Sequence, residues 1–433
     1  MAGTVRTQPQ VRHLPMWPMW SLAWLLPLCL LLGGRDFAWM IAAVPMTAHL
    51  VASRPIRTPP GFALWLLFVV WMSASVIQID TAGRLLGFCF RALLYLSATV
   101  ILLYAYNLAL RGLSWHRVAG ALTALWVVVV VGGYLGVLLP DVVLTTPVAQ
   151  VVPPGLASNE VIAEMITPAF AQQGGEDLGV PSRPSAPFAY TNNWGVAYSL
   201  LLPFVFVFFS GLPRGSWRRL LVTLAVAASL VPALLTLNRG MFLALGVGLG
   251  YVGIRLALRG SGAGIAALGV LVAVGLFAVT ATPVGDLLQQ RLDSSSTNET
   301  RLSVYEQAVE GTVASPLFGQ GAPRPAISPG EPAVGTQGQF WMVLFSHGFP
   351  GAAFFVVWLL VGCLLSARPP TTSGLWLHAV LVMALIEVFY YGFLGAGLTV
   401  VMIAAGLSAC AAHVHQRSTK APAINGIVDG VPA

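Results

Sequence analysis

The sequence predicts an all-α protein that crosses a membrane many times. Hydrophobic residues make up 57% of its 433 residues, whereas charged residues make up only 9%. The hydrophobic residues are gathered in runs of about twenty, the length that an α-helix needs to cross the hydrocarbon core of a bilayer. Because the bilayer offers the backbone no hydrogen-bond partners, such runs must fold as helices.

Twelve runs are long enough to predict transmembrane helices. They lie near residues 17–34, 37–53, 61–78, 85–110, 118–139, 195–212, 220–237, 241–257, 265–283, 340–366, 375–394 and 396–413. An even number of spans places both termini on the same side of the membrane. We therefore expect one transmembrane domain, residues 1–413, followed by a disordered cytoplasmic tail, residues 414–433.

The charged residues predict the orientation of these spans. With the N-terminus inside, fourteen of the 22 Lys and Arg residues lie on the cytoplasmic side, and thirteen of the 15 Asp and Glu residues lie outside. This distribution follows the positive-inside rule, so we predict that both termini are cytoplasmic. The two long connections, residues 140–194 and 284–339, then lie on the extracytoplasmic face.

The first long connection contains a pattern typical of a short amphipathic helix. In the segment SNEVIAEMITPAF, hydrophobic residues recur at helical spacing, and we expect them to face the membrane surface. The alternative is a disordered tether. The hydrophobic residues of this pattern are Val161, Ile162, Met165, Ile166 and Phe170.

The second long connection predicts a helix of about sixteen residues. Ser296 and Glu299 form a capping box at its start, and Ser315-Pro316 ends it. One face is expected to pack on the protein or the membrane, and it comprises Leu302, Tyr305, Ala308, Val309, Thr312 and Val313. The opposite, water-facing side comprises Glu299, Ser303, Glu306 and Glu310.

Arg301 lies along the edge of the face of this helix that is expected to pack. In that place its guanidinium group either contacts an anionic group of a substrate or extends to lipid phosphates.

A second arginine on the extracytoplasmic side lies in a tight turn. In the segment TLNRG, Asn238, Arg239 and Gly240 form the whole connection between two spans, which fixes the depth of the Arg239 side chain. Arg239 either extends to lipid phosphate or binds an anionic substrate group. Two guanidinium groups at one membrane boundary suit a diphosphate, because each donates charge-assisted hydrogen bonds to phosphate oxygens.

A third polar cluster, RPSAPFAYTNNWG, precedes the sixth span. Arg183, Tyr190, Asn192 and Asn193 combine hydrogen-bonding groups with a flat apolar surface, a mixture that suits sugars. An aromatic belt at the membrane interface and turn-forming asparagines explain the same residues without a ligand.

Arg91 and Glu387 lie inside predicted spans, Glu387 about halfway along the eleventh. An unpaired charge at the bilayer centre costs about 3 kcal/mol, so each needs a partner. Either the two residues form a salt bridge, or Arg91 contacts the same anion as Arg239.

The order of these features resembles the O-antigen ligase and polymerase superfamily. The resemblance rests on the segments TLNRG, TRLSVYEQAVEGTVASPLFGQGA and QGQFWMVLFSHGFPGAAFF, and it covers the first half of the chain by topology only. It implies a GT-C-like enzyme of the bacterial plasma (inner) membrane that transfers glycan from undecaprenyl diphosphate to a hydroxyl of a glycan, lipid or protein acceptor. It implies no cofactor and no nucleic-acid partner. The remaining partners implied are membrane lipid and proteins of polysaccharide assembly.

In that family, one arginine in a Ser-Arg-Gly-like turn and another at the start of the loop helix handle the lipid diphosphate. These positions match Arg239 and Arg301. The family pattern Pro-Leu-x-Gly-x-Gly matches the segment that starts at Pro316 and ends at Gly321.

One position departs from the family pattern. Members usually carry a histidine eleven residues before a Gly-x-x-Gly motif, and this chain has Gln337 there. Glutamine cannot accept a proton from a hydroxyl near neutral pH. Either the base has moved to Glu306, Glu310 or His347, or no strong base is needed, or the protein is inactive. A helix-packing role explains His347 equally well.

We therefore predict a metal-independent inverting glycosyltransferase, and the sequence contains no Asp-x-Asp motif that would favour a metal. A transporter or lipid-carrier flippase is the first alternative, but the two halves of the chain do not correspond as they do in many transporters. A non-catalytic scaffold of a polysaccharide assembly complex is the second. The predicted catalytic residues are Arg239, Arg301, Glu306 and His347, and the predicted substrate-binding residues are Arg91, Arg183, Tyr190, Asn192, Asn193, Tyr305 and Gln337.

Overall fold

The computed structural model is a bundle of α-helices with two short β-strands. It describes residues 14–157, 159–173, 182–266, 269–270, 273, 297–325 and 333–420, and within these ranges it describes residues 160–161, 297–301 and 413–420 by their backbone alone.

The bundle begins with α1 (Trp17–Leu32), α2 (Ala38–Ala52), α3 (Phe62–Ala74), α4 (Ala82–Leu110) and α5 (Trp115–Leu138). The first long connection holds α6 (Pro154–Ala157), α7 (Glu160–Ile166) and the antiparallel strands β1 (Ala171–Gln172) and β2 (Arg183–Pro184). The chain continues with α8 (Thr191–Ser210), α9 (Trp217–Leu235), α10 (Arg239–Ala257), α11 (Thr297–Ala314), α12 (Gln339–Leu365), α13 (Thr372–Glu387) and α14 (Ala396–Lys420). Short 3-10 helices cover Arg35–Phe37, Ser75–Gln78 and Pro147–Gln150.

Helices occupy most of each predicted span that the structure describes. Among the described residues, six helices are long and apolar enough to cross a membrane, namely α4, α5, α8, α9, α10 and α12, and four shorter apolar helices accompany them. The predicted span near residues 265–283 lies largely outside the described residues. Helix α14 continues to Lys420, past the predicted start of the tail, and residues 421–433 lie outside the described residues. The number of twelve spans and the orientation stay predictions.

Helix α13 is shorter than predicted. It ends at Glu387, so Glu387 lies at the end of this helix and our placement of it halfway along a span is wrong. The residues after Glu387 turn back and supply hydrogen-bond acceptors for the first amides of α12. The carbonyl oxygens of Tyr391 and Val388 accept hydrogen bonds from the amides of Gln339 (2.7 Å) and Phe340 (2.8 Å). These amides belong to the first turn of a helix, where no partner exists within the helix itself.

The first long connection packs against the bundle. Our prediction of a short helix there is confirmed by α7, but the prediction that its hydrophobic residues face the membrane is wrong for those at its end. Met165, Ile166 and Phe170 are buried in the protein. The backbone explains this, because the Thr146 amide bonds to the Ile166 carbonyl (3.2 Å) and the Phe170 amide bonds to the Val142 carbonyl (3.2 Å).

The helix predicted in the second long connection is confirmed as α11, but its packing face is rotated from the predicted one. The buried side consists of Val304, Ala308 and Thr312. Ala308 forms an apolar cluster with Val334 and with Phe345 of α12. Leu302, Val309 and Val313, which we expected to pack, are exposed.

Helix α12 is broken at Gly348, whose backbone angles (φ 71°, ψ −175°) are not helical. The break frees backbone groups that an intact helix would pair. The segment Pro316–Gly321, defined here as the glycine loop, satisfies them. The Phe345 and Ser346 carbonyls accept from the amides of Gln320 (2.7 Å) and Gly321 (2.8 Å), and the Phe349 amide donates to the Pro316 carbonyl (3.0 Å).

Glycine is required on both sides of this contact. A Cβ atom on Gly319 would lie 2.6 Å from the Gly348 nitrogen, and a Cβ atom on Gly348 would lie 2.6 Å from the Leu317 carbonyl carbon. Gly319 also has a positive φ of 61°. Two backbones therefore approach each other more closely than any side chain would allow.

We expect the substitution Gly348→Ala to destabilise the protein by about 1–3 kcal/mol, because alanine strongly disfavours these backbone angles. Gly362→Ala is the matched control, since it lies in the same helix with nothing within 4 Å of the new Cβ. Thermal unfolding in detergent, followed by tryptophan fluorescence, measures both variants. Equal melting temperatures for the two variants would contradict the proposed role of the break.

Candidate functional site

The turn that carries Arg239 is held by two other parts of the bundle. The Asn238 side chain caps α10 by accepting from the Met241 amide (3.2 Å), and its Nδ2 atom donates to the Thr191 carbonyl at the start of α8 (3.2 Å). The hydroxyl of Tyr391 donates to Asn238 Oδ1. Arg239 itself is the first residue of α10 and is half-buried. Our prediction of a tight turn between two helices is confirmed, but the connection consists of residues 236–238, and Arg239 and Gly240 belong to α10.

Tyr391 belongs to the segment that joins α13 to α14, residues 388–395, named here the α13–α14 turn. Gly240 is needed beside it, because a Cβ atom there would lie 2.7 Å from the Tyr391 ring. The Arg239 turn is therefore fixed directly against the α13–α14 turn.

The loop helix α11 is anchored to the same turn. The Tyr305 ring stacks on the Trp341 ring, with centroids 4.5 Å apart and an angle of 15° between the planes. Tyr305 Oη (3.3 Å) and Trp341 Nε1 (3.1 Å) donate to the Phe389 carbonyl. Arg301 lies one helical turn before Tyr305, and its side chain lies outside the described part of the structure. At a spacing of four residues, position 301 lies on the same face of α11 as Tyr305.

Gln337 lies at the edge of this turn. It is half-buried and precedes Gly338, where a Cβ atom would lie 2.6 Å from the Phe389 carbonyl oxygen. Gln339, which we did not single out from the sequence, is fully buried. Its Nε2 atom donates to Tyr95 Oη (2.7 Å), and its Oε1 atom accepts from the Phe393 amide (2.8 Å).

His347 is enclosed by aromatic rings, with only 4% of its surface exposed. The rings of Phe68 and Tyr95 lie edge-on, with centroids 6.1 and 6.5 Å from the imidazole. Its Nδ1 atom lies 2.8 Å from Ser75 Oγ. Because the Ser75 hydroxyl donates to the Met72 carbonyl (2.6 Å), we assign the proton to Nδ1 of His347. This environment favours the helix-packing role.

Arg91 and Glu387 do not form the salt bridge that we considered. Arg91 Nη1 donates to the Gly87 carbonyl of its own helix (3.3 Å), and its charge lies near Tyr95 and His347. Glu387 is fully buried and its Oε1 atom accepts from Ser199 Oγ (2.6 Å). The alternative of a mutual pair is therefore wrong, because each residue finds its contacts elsewhere.

The remaining acidic candidates face away from the protein. Glu306 and Glu310 lie on the exposed side of α11, as the helical pattern predicted.

The residues of the third polar cluster are spread over several contacts. The hydroxyl of Tyr190 donates to Glu164 of α7, and half-buried Arg183 lies in β2 opposite Gln172. These two residues thus help to hold the first long connection.

Asn192 and Asn193 lie in the first turn of α8 and are half-buried. Asn193 lines a small cleft of about 20 Å³ with Asp36, Trp39 and Phe188. A cleft of this size holds about one water molecule or hydroxyl group, so it does not accommodate a sugar ring.

A polar network that the sequence analysis missed also holds the glycine loop, in addition to its contact with the break in α12. Arg84, in the first turn of α4, donates to the carbonyls of Gln320 and Ala322 and pairs with Asp80. Arg324 pairs with Asp80 (3.0 Å) and donates from Nε to Gln320 Oε1 (3.0 Å). The hydrogen bond from Arg84, together with the nearby charge of Arg324, lowers the pKa of Asp80 below its ordinary value of 3.8.

We expect Asp80→Asn to lower the melting temperature at pH 7, because it removes the charge that holds Arg84 and Arg324. The folded pKa of Asp80 is lower than its ordinary value, so its contribution is present above about pH 4 and is lost as the pH falls through the lowered pKa. Unfolding curves between pH 7 and pH 3 should show the difference between wild type and variant shrinking below about pH 4. Asp141→Asn, at an exposed aspartate, is the control and should show no such trend. A constant difference at every pH would exclude an electrostatic cause.

Comparison with known proteins identifies the family. A search of the curated proteins found no match to this chain. Residues 224–356 match the family model described as O-antigen ligase. The matched region contains the Arg239 turn, α11, the glycine loop and the break in α12. Our predicted resemblance is confirmed for this part of the chain, which is similar to the O-antigen ligase family. The described helices are those of a multi-pass membrane protein, and the match supports, at a general level, the ligation or polymerisation of glycans in the membrane.

Proposed function

We propose that the protein is a metal-independent inverting glycosyltransferase acting on the extracytoplasmic face of the bacterial plasma membrane. The donor is a glycan linked to undecaprenyl diphosphate, and the acceptor is a hydroxyl of a glycan, lipid or protein in surface or exopolysaccharide assembly. One observation carries the proposal. The α13–α14 turn holds the Arg239 turn through Tyr391 and holds α11 through Phe389.

The reaction follows from this arrangement. The acceptor oxygen attacks the anomeric carbon while the bond from that carbon to the diphosphate breaks on the opposite side, so the configuration inverts. Negative charge develops on the departing diphosphate. Arg239 and Arg301 stabilise this charge with fixed guanidinium donors, which is the largest contribution expected for such a site. Arg91, one helical turn before Tyr95, is proposed as a deeper contact of the same anion.

The acceptor proton needs no strong base in this scheme. Gln337 cannot accept it, Glu306 and Glu310 face away from the protein, and His347 is enclosed by aromatic rings. We propose that the hydroxyl proton passes to water as the new bond forms, and that the departed diphosphate takes up a proton from water. Each bond made is then matched by one bond broken, and the products are the glycoside and protonated undecaprenyl diphosphate.

The break in α12 is the one feature that favours a transporter, because discontinuous helices form ion sites in many transporters. In those proteins the freed backbone groups face the transported ion. Here the freed groups at Phe345, Ser346 and Phe349 are bound by the glycine loop. The break therefore serves to bind the glycine loop, and an enzyme is a better proposal than a transporter.

We expect Arg239→Ala and Arg301→Ala each to lower the rate of glycan transfer at least about a hundredfold, the usual cost of removing one donor to the developing charge. The assay incubates purified protein with a lipid-linked oligosaccharide and analyses the length of the products. Arg368→Ala, which changes an exposed arginine between α12 and α13, is the control for folding and charge. Normal transfer by a folded Arg239→Ala or Arg301→Ala protein would refute the mechanism. Flipping of the lipid in vesicles without glycan bond formation would favour the transporter instead.

We expect Gln337→Ala to keep the transfer rate within about threefold, because residue 337 does not accept the proton. The rate should also depend only weakly on pH between 6 and 8, since no histidine titrates in the step. A pH–rate profile of wild type and variant measures both effects. A loss of about a hundredfold or more in Gln337→Ala would show that the amide is itself part of the chemistry.

A further inference from the structure

A groove of about 480 Å³ opens at the opposite end of the bundle from the α13–α14 turn. It lies between the starts of α1 and α5 and the end of α8. Its lining consists of Met16, Trp20, His116, Arg117, Gly120 and Phe208. The groove lies far along α8 from the Arg239 turn, since Thr191 and Phe208 mark opposite ends of that helix. It is therefore separate from the site proposed for glycan transfer.

The walls of the groove are apolar rings. A Cβ atom on Gly120 would lie 3.3 Å from the Phe208 ring and 3.8 Å from the Trp20 ring, so the bare glycine backbone forms the floor between two aromatic walls. The Trp20 side chain is 43% exposed. Trp20 and Phe208 lie within one or two turns of their helix ends, and tryptophan is enriched at the depth where lipid headgroups meet acyl chains.

The rim of the groove carries a cation. Arg117, in the first turn of α5, is exposed, and its side chain has no hydrogen bond or ion pair with the rest of the described chain. The neighbouring imidazole is already hydrogen-bonded: His116 Nδ1 bonds to the Val207 carbonyl at the end of α8 (2.9 Å). One open guanidinium group thus lies at the mouth of an apolar groove.

We propose that this groove binds one anionic phospholipid, with an acyl chain between Trp20 and Phe208 and the phosphate against Arg117. The chemistry of the groove matches both parts of such a molecule. The aromatic rings of Trp20 and Phe208 favour contact with a hydrocarbon chain. A guanidinium group donates paired hydrogen bonds to phosphate oxygens. Basic pockets between helices at a membrane surface attract anionic lipids in the same way. This proposal does not depend on glycan transfer.

Native mass spectrometry tests the headgroup. Purified protein is mixed with phosphatidylglycerol and phosphatidylcholine that carry the same acyl chains. Wild type should retain phosphatidylglycerol about fivefold better, which corresponds to one basic residue near a lipid surface. Arg117→Gln should abolish this preference, and Arg117→Lys should keep most of it. Arg54→Gln is the matched control, since Arg54 is exposed at the same end and does not line the groove.

A photoreactive acyl chain on phosphatidylglycerol tests the location. The crosslinked peptides should contain Trp20 or Phe208, and the yield should fall at least about fivefold in Arg117→Gln. Three results would overturn the proposal: equal retention of both lipids by wild type, an unchanged preference in Arg117→Gln, or crosslinks spread evenly over the exposed helices. Activity is not the readout, so a failure of the glycosyltransferase proposal leaves this test intact.

Discussion

The need to satisfy every backbone polar group inside a bilayer shapes this protein at one point above all, the break in α12. An unpaired amide or carbonyl in hydrocarbon costs several kcal/mol, so a membrane helix breaks only where protein supplies the missing bonds. The glycine loop supplies three of them, to Phe345, Ser346 and Phe349. The loop that follows α11 is thereby fixed to the bundle by its own backbone, and not by side chains that single substitutions remove.

The contact between the glycine loop and the break in α12 determines where α11 lies. Phe345, three residues before the break, packs with Ala308 of α11 and with Val334. Gly311 leaves room for it, since a Cβ atom there would lie 2.9 Å from Cδ2 of the Phe345 ring and closer still to its neighbouring atom Cε2. Arg84 holds the far side of the glycine loop by its carbonyls. Helix α11 is thus held by Ala308 on its buried face and by the glycine loop that follows it.

Much of the fold follows from the sequence, because the length of an apolar run and the spacing within a helix are local properties. The spans, the Arg239 turn and α11 are of this kind. The end of α13 at Glu387 was not predictable, because the carbonyls after it are recruited by the first amides of α12, far away in sequence. Arg84 and Trp341 were missed for the same reason. Both bind backbone carbonyls, and a carbonyl carries no sequence signal that identifies its donor.

The surroundings of Gln337 explain in physical terms why a glutamine can stand where the family usually has a histidine. The residues around it serve to position backbone, as Gln339 does by bonding Tyr95 and the Phe393 amide. A site built from fixed donors stabilises charge well and moves protons poorly. Such a site suits the reaction that we propose, in which the barrier comes from departure of the charged diphosphate and no strong base is needed. In the proposed mechanism a histidine at position 337 would add a base, and the guanidinium groups of Arg239 and Arg301 stabilise the departing charge without one.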